Sequence, residues 1–287
     1  MLADLLINPF AANGFMLHAL LAGILVSVAC GIVGTFVVLR GLAFIGDALA
    51  HGVLPGVAAA MLLGLPGMAG AALGACAMIF GIGFITRRSN LSSDTAIGLL
   101  FVGMLALGVA IVSRSHAFSG DLVRILFGEI LGIRPAELAL QAGATVLIGV
   151  LAAVCHRPFL LLCFSHDQAA VSGFPPRRYH AIMLAMIAVT VVVSFRTVGT
   201  LLVFGMLLAP AASAALFSRK IATMIALASA IGALSVYAGL LASYHFDLAA
   251  GASITLIASV LFFVLLALRQ LLPAPGAGHP AVRRQLP

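Results

Sequence analysis

Residues 14–39 read GFMLHALLAGILVSVACGIVGTFVVL, a continuous apolar stretch without Asp, Glu, Lys or Arg. A helix needs about 20 such residues to cross the ~30 Å hydrocarbon core of a bilayer. A strand of a membrane barrel would instead alternate apolar and polar residues, and this stretch does not. It therefore predicts a membrane-spanning helix.

The composition of the whole chain has the same character. Of its 287 residues, 63% are hydrophobic and 8% are charged, and the mean hydropathy is +1.23. A soluble domain has roughly 25% charged residues, and a disordered chain has few apolar ones, so both classes are excluded. Because every backbone polar group must be paired inside a bilayer, we expect an all-α, polytopic transmembrane helical bundle.

Further apolar runs predict eight or nine membrane segments. The candidates are 14–39, 43–64, 66–86, 94–113, 136–154, 178–194, 197–217, 221–242 and 251–271. The run 197–217 decides the count, because Gly199, Gly205 and Pro210 can break it into a re-entrant element.

Basic residues predict the orientation, because Lys and Arg accumulate on the cytoplasmic side of a membrane protein. With the N-terminus outside, most of the 15 basic residues fall in inner loops or at inner helix ends. The four outside are Arg114, Arg124, Arg134 and Arg196. The opposite orientation would invert this ratio. We therefore predict an N-terminus outside and a cytoplasmic C-terminus.

The chain divides into one transmembrane domain, residues 1–272, and a tail, residues 273–287. The tail is rich in Pro, Gly and Ala, and we expect it to be disordered. Within the domain, the inner loop 155–178 contains a helix-compatible stretch that glycine and prolines close. This loop is either a docking surface for a partner or an ordinary solvated connection.

An Asp and a His in the second predicted span are the main candidates for chemistry. An intramembrane carboxylate such as Asp47 costs about 2.5 to 3.5 kcal/mol on insertion scales and is a functional candidate for that reason. His51 lies four residues on, so both side chains share one helix face. Together they form half of a site for a divalent cation such as Zn²⁺ or Mn²⁺.

Two other interpretations of Asp47 and His51 are open at this point. The two side chains can hydrogen-bond each other or neighbouring backbone and serve only helix packing. They can also form a proton relay. Two ligands do not complete a metal site, so other residues, water or a second subunit would have to supply the rest.

The chain contains no phosphate-binding loop of the G-x-x-x-x-G-K-[ST] type, because its single lysine, Lys220, follows Phe-Ser-Arg. If ATP powers transport, a different polypeptide must hydrolyse it. We therefore expect a transport subunit with no catalytic residue, not an enzyme.

Three sequence blocks are similar to the membrane permease subunits of bacterial ABC importers for zinc and manganese. The first is GTFVVLRGLAFIGDALAHGVLPG at residues 34–56. The second is VGTLLV at 198–203, continued by LAPAASA at 208–214, and the third is YHFDLAAG at 244–251. The blocks occur in the family's order and span most of the chain.

This resemblance implies a function and a set of partners. Asp47 and His51 would handle the transported ion, zinc in the first place and manganese next, with no permanently bound cofactor. The loop would be the coupling helix, carrying its ATPase contacts at Ser165, Asp167, Ala169 and Gly173. The expected partners are a second permease copy, cytoplasmic ABC ATPases, an extracytoplasmic metal-binding protein and the lipid bilayer of the bacterial inner membrane, but no nucleic acid.

Two departures from the family pattern and two competing functions accompany the resemblance. Relatives commonly have Asp where this chain has Ser165, and they have prolines near Ala249 and Ala252. The competing functions are a proton-coupled carrier or channel that uses the same Asp/His pair and an ABC permease for a metal chelate.

Overall fold

The computed structural model describes residues 8–89, 91–113, 130–164 and 166–271, and the regular structure in these ranges is helical. The helices are α1 (Asn8–Ala12), α2 (Gly14–Leu39), α3 (Ala43–Leu62), α4 (Gly67–Arg88), α5 (Ser93–Ser113), α6 (Pro135–Val154), α7 (His156–Phe164), α8 (His166–Val171), α9 (Pro176–Phe217), α10 (Ile221–Phe246) and α11 (Ala250–Leu271), with a 3-10 turn at Ile130–Gly132. The tail, for which the sequence predicts disorder, lies outside the described residues.

Eight helices of the described chain are long and apolar enough to cross a membrane: α2 to α6, the first half of α9, α10 and α11. The predicted polytopic helical bundle is therefore confirmed. The helix α2 is the most buried of the eight, and it packs against α6, α9 and α10. A central helix of this kind meets protein on most sides, which agrees with its uniformly apolar sequence.

The segment 197–217 is broken at its beginning. Gly199 has φ 75° and ψ 163° inside α9, a region that is essentially reserved for glycine. By contrast, Gly205 and Pro210 lie within the helix that follows. This second half, Leu202–Phe217, is about 24 Å long and is shorter than a full hydrocarbon core.

The two halves of α9 begin and end at the same end of the bundle. Near the start of α9, Nδ1 of His180 lies 2.8 Å from Nη1 of Arg40, directly after α2. Directly after α9, Ser218 lines a cavity together with Leu39, the last residue of α2. We call this the Arg40 end of the bundle. The chain thus turns at Gly199 and returns through Leu202–Phe217, a shorter apolar helix beside the eight that are long enough to span a membrane.

Close contacts between small residues fix α3 against α4. The motifs Gly52-x-x-x-Gly56 and Gly70-x-x-x-Gly74 face each other, and a Cβ on Gly56 would collide with the Gly70 carbonyl. A Cβ on Gly74 would lie 2.7 Å from the Gly52 carbonyl oxygen. Backbones come this close in lipid only where side chains are absent. This packing holds the helix that carries Asp47 and His51.

The connection 155–178 folds as two short helices, α7 and α8, at the Arg40 end. The Phe159 ring of α7 packs edge-to-face on Phe36 of α2, with ring centroids 5.2 Å apart. Tyr179, near the start of α9, contacts both Phe159 and Phe174 edge-to-face. Aromatic contacts of this kind anchor the connection to the bundle.

Candidate metal site

Asp47 and His51 lie one turn apart on α3, as their spacing predicts. Nε2 of His51 is 3.3 Å from Oδ1 of Asp47. The side chains retain 31% exposure at Asp47 and 24% at His51 in the single chain. Both side chains are thus partly exposed on the surface of the single chain.

The separation of these two atoms fits a pair of ligands on one divalent cation. Zn–N and Zn–O bonds are about 2.0 to 2.2 Å long, which places two ligand atoms about 3.4 Å apart in tetrahedral geometry. In octahedral geometry, which Mn²⁺ accepts, bonds of that length place neighbouring ligand atoms about 3.0 Å apart. The observed 3.3 Å lies between these values, and it also fits a direct contact between the two side chains.

No residue in the described part of the chain makes a hydrogen bond to the other ring nitrogen of His51. Its Nδ1 is buried without a hydrogen-bond partner, and the ring packs edge-to-face on Phe101 of α5 at 5.5 Å. Most metal-ligating histidines donate this second N–H to a carboxylate or carbonyl. His51 lacks that support. Sequence reasoning missed this contact, because Phe101 lies on a different helix and no local pattern connects the two residues.

The pair occupies one half of the membrane. Asp47 lies four residues and His51 eight residues after the start of α3, or about 6 and 12 Å along a helix of about 30 Å. Both residues are therefore in the half nearer the Arg40 end. Within the described residues, no three His, Cys, Asp or Glu side chains converge on a metal position, so side chains of these types in that part of the chain do not complete a site.

The residues predicted for ATPase coupling have different environments. Asp167 is exposed in the first turn of α8, whereas Ala169 is fully buried. Gly173 has φ 82° and its N–H donates to the Ala170 carbonyl, so it closes α8 with a left-handed cap. Ser165 lies outside the described residues. Val171, which the sequence did not single out, is 90% exposed.

Arg40 is a second residue whose position only the structure gives. From the sequence, Arg40 contributes only to the predicted orientation of the chain. In the structure, its half-buried guanidinium donates a hydrogen bond to Nδ1 of His180. Burial lowers the pKa of Arg40 and raises that of the nearby Cys163 thiol in α7, while their mutual interaction opposes both shifts. Arg40 thus joins the ends of α2, α7 and α9.

Comparison with known proteins identifies the family. Residues 12–269 match the ABC 3 transport family. The chain belongs to the ABC 3 transport family.

Relatives of this ABC 3 chain cover nearly all of its length. It is 38% identical over 251 residues to the manganese transport system membrane protein MntC of Listeria innocua, covering 88% of this chain and 89% of that protein. It is 35% identical over 276 residues to the chelated iron transport system membrane protein YfeD of Yersinia pestis, covering 95% and 91%. The solved structure of PsaBC from Streptococcus pneumoniae matches with a TM-score of 0.82 at 34% identity, covering 93% of this chain and 95% of that one.

Family membership confirms the interpretation of the chain as a permease subunit of a metal-transporting ABC importer. It is a multi-pass protein of the cytoplasmic membrane and is not itself an ATPase. As a permease of this class it works with a separate ATPase and a substrate-binding protein. The proton-coupled carrier is thereby set aside.

Proposed function

We propose that Asp47 and His51 bind the transported divalent metal on its way through this ABC 3 permease. The observation that carries this proposal is the 3.3 Å separation of a carboxylate oxygen and an imidazole nitrogen inside a membrane-spanning helix. Two ligands offset part of the dehydration cost of the ion. A complete cage would hold the ion too tightly for transport.

The buried Nδ1 of His51 supports transient binding. Nε2 of His51 lies 3.3 Å from the Asp47 carboxylate, and no described residue hydrogen-bonds its Nδ1. A metal bound at Nε2 would place the ring proton of neutral His51 on Nδ1, for which the described residues offer no acceptor. Metal-bound His51 would therefore lack the outer-shell acceptor that supports most metal-ligating histidines, and we expect a weaker complex that releases the ion more readily.

The orientation that the sequence predicts places the Arg40 end in the cytoplasm. The basic residues Arg87, Arg88, Arg177 and Arg178 are at the ends of α4 and α9 on that side, in accordance with the positive-inside rule. Asp47 and His51 then lie in the cytoplasmic half of the membrane. An imported ion therefore reaches this pair only after it has crossed the outer half of the membrane.

We further propose a homodimer whose two copies form the path between them. The pair is partly exposed, and the described residues of one chain add no third His, Cys, Asp or Glu to it, as expected for a site that is completed by water or by the partner. The connection 155–178 transmits the nucleotide state of the ATPase to the permease. The exposed residues Asp167 and Val171 of α8 contact the ATPase, and buried Ala169 packs α8 against the bundle. In this mechanism the permease itself performs no chemistry, and the ATPase determines to which side of the membrane the path opens.

Manganese is the metal we propose first. The sequence favoured zinc slightly over manganese, and the geometry of the pair accepts both. MntC, at 38% identity, is named for manganese transport, which shifts the preference. An iron chelate is the second candidate because YfeD, at 35% identity, is named for chelated iron.

Metal uptake into vesicles tests the proposal. Vesicles that contain the permease, its ATPase and its binding protein receive radioactive Mn²⁺, Zn²⁺, Fe²⁺ or a ferric chelate, with and without ATP. We expect ATP-dependent uptake of Mn²⁺ above the others, lost at least tenfold in Asp47→Asn and His51→Gln. The controls Asp94→Asn and His18→Gln, which alter the same residue types elsewhere, should transport normally. Normal uptake by both site variants would refute the site, and uptake of the chelate alone would favour the second function.

A further inference from the structure

A cavity that does not include Asp47 or His51 lies between the last turns of α4 and the first turns of α9. Its volume is about 590 Å³, and Arg87, Arg88 and Arg177 lie on its wall together with His180. Below these polar groups the wall is apolar and includes Phe80, Phe84 and Leu184. The cavity therefore combines a basic rim with an apolar interior at the Arg40 end of the bundle.

The rim carries a positive charge that the described part of the chain does not neutralise. None of the described residues that line the cavity is acidic, and no described carboxylate is paired with Arg87, Arg88 or Arg177. His180 accepts a hydrogen bond from Arg40 at Nδ1. Three guanidinium groups therefore surround the opening, and this makes it unsuitable as a route for a divalent cation.

The apolar wall has the depth of an acyl chain segment. Phe80 is 78% exposed and Phe84 is 64% exposed, and both belong to the membrane-spanning helix α4. Phe80 lies eight residues before Arg88, which is about 12 Å along the helix. The Arg88 guanidinium lies 5.7 Å from the Phe84 ring centroid, so the cation is held at the boundary between the rim and the apolar wall.

We propose that this cavity binds one anionic phospholipid of the cytoplasmic leaflet. The phosphate is bound by Arg87, Arg88 and Arg177, whose forked donors match phosphate oxygens, and an acyl chain covers Phe80 and Phe84. Basic pockets between membrane helices on the cytoplasmic side recognise anionic headgroups by this chemistry. A zwitterionic lipid would leave the three arginines without compensating charge. The side of the membrane rests on the proposed orientation, but the binding chemistry does not.

Bound lipid would also connect two parts of the transport machinery. Arg177 lies in the first turn of α9, directly after Pro176 and a few residues beyond α8, whereas Arg87 and Arg88 end α4. A phosphate that contacts both helices holds the base of the 155–178 connection against the bundle. Anionic lipid should therefore support coupled transport as well as bind.

Native mass spectrometry of the full-length permease in complex with its ATPase tests the proposal. The delipidated complex receives phosphatidylglycerol or phosphatidylcholine with identical acyl chains, or inorganic phosphate. We expect one phosphatidylglycerol per permease chain, retained at least tenfold more than phosphatidylcholine. The triple variant Arg87→Gln/Arg88→Gln/Arg177→Gln should lose this retention at least tenfold.

A matched triple variant controls for net charge and folding. Arg157→Gln/Arg178→Gln/Arg269→Gln removes the same number of exposed cations outside the cavity and should keep phosphatidylglycerol within twofold of wild type. Equal retention of both lipids, or equal losses in both triple variants, would overturn the proposal. Displacement of phosphatidylglycerol by equimolar inorganic phosphate would overturn the lipid assignment in favour of a plain anion site. Both triple variants must elute with the ATPase as an intact complex. If only the cavity variant fails to assemble, the single variant Arg88→Gln replaces it. For Arg88→Gln we expect the retention of phosphatidylglycerol to fall at least threefold.

Discussion

His51 faces Asp47 with one ring nitrogen, 3.3 Å from the carboxylate oxygen, and buries the other against Phe101 without a hydrogen-bond partner. The first contact makes the pair able to chelate a cation. If the pair binds the ion as we propose, the second contact should make the complex weaker than that of a structural metal site, whose histidines have an acceptor behind them.

The metal preference should follow the chemistry of residue 51. In His51→Cys a soft thiolate replaces the imidazole, and thiolates favour Zn²⁺ over Mn²⁺. We expect the ratio of zinc to manganese uptake to rise at least fivefold, measured by competition between the two isotopes in vesicles. His18→Cys, on α2, is the control and should leave the ratio unchanged. An unaltered ratio in His51→Cys would mean that His51 does not touch the ion.

The turn at Gly199 should not tolerate a side chain. Gly199→Ala places a Cβ at φ 75° and ψ 163°, and a conformation of this kind costs about 1 to 3 kcal/mol for a residue with a side chain. We expect a lower unfolding temperature of the purified protein in detergent. Gly143→Ala on α6, where a Cβ meets nothing within 4 Å, should raise it slightly or leave it unchanged. Equal behaviour of both variants would contradict the turn.

The contact between α3 and α4 should be sensitive to a single methyl group. In Gly56→Ala the new Cβ collides with the Gly70 backbone, so the helices must separate and the packing beneath Asp47 and His51 is lost. We expect destabilisation by about 1 to 3 kcal/mol and reduced metal uptake. Gly103→Ala on α5, which points into open space, provides the comparison. Wild-type stability of Gly56→Ala would rule out this packing.

The guanidinium of Arg40 should stabilise the bundle by joining α2 to α9. Arg40→Gln removes the hydrogen bond to His180, and bonds to charged groups contribute about 1.5 to 3 kcal/mol, less at a half-exposed position. We expect thermal unfolding at a lower temperature than in Arg157→Gln, which alters an exposed arginine at the same end. If the two variants unfold together, the contact carries no stability.

The exposed side chain of α8 should report on the ATPase contact. Val171→Asp adds a charge to a side chain that is 90% exposed, so the fold is unaffected while an apolar contact with a partner is lost. We expect metal-stimulated ATP hydrolysis of the assembled transporter to fall at least fivefold, and Val171→Ala to have a smaller effect. Full coupling in Val171→Asp would exclude this surface from the contact.

The local sequence predicts much of the site. Two polar residues four apart in a helix must share a face, so the positions of Asp47 and His51 along the chain are enough to place them side by side. The sequence also predicts a short helix within 165–173, and α8 forms there, but it cannot separate buried Ala169 from exposed Val171. That distinction depends on the direction in which α8 packs on the bundle.

The sequence alone determined the membrane-spanning character of this chain, because long runs without charge have no other stable environment. It also determined the pairing of Asp47 with His51, since helical periodicity fixes neighbours one turn apart. Only the tertiary structure decided that the chain turns at Gly199, because glycine permits a positive φ without requiring it. It alone also brought Phe101 against His51, and Arg177 beside Arg88, since contacts between separate helices depend on packing that no local run of residues encodes.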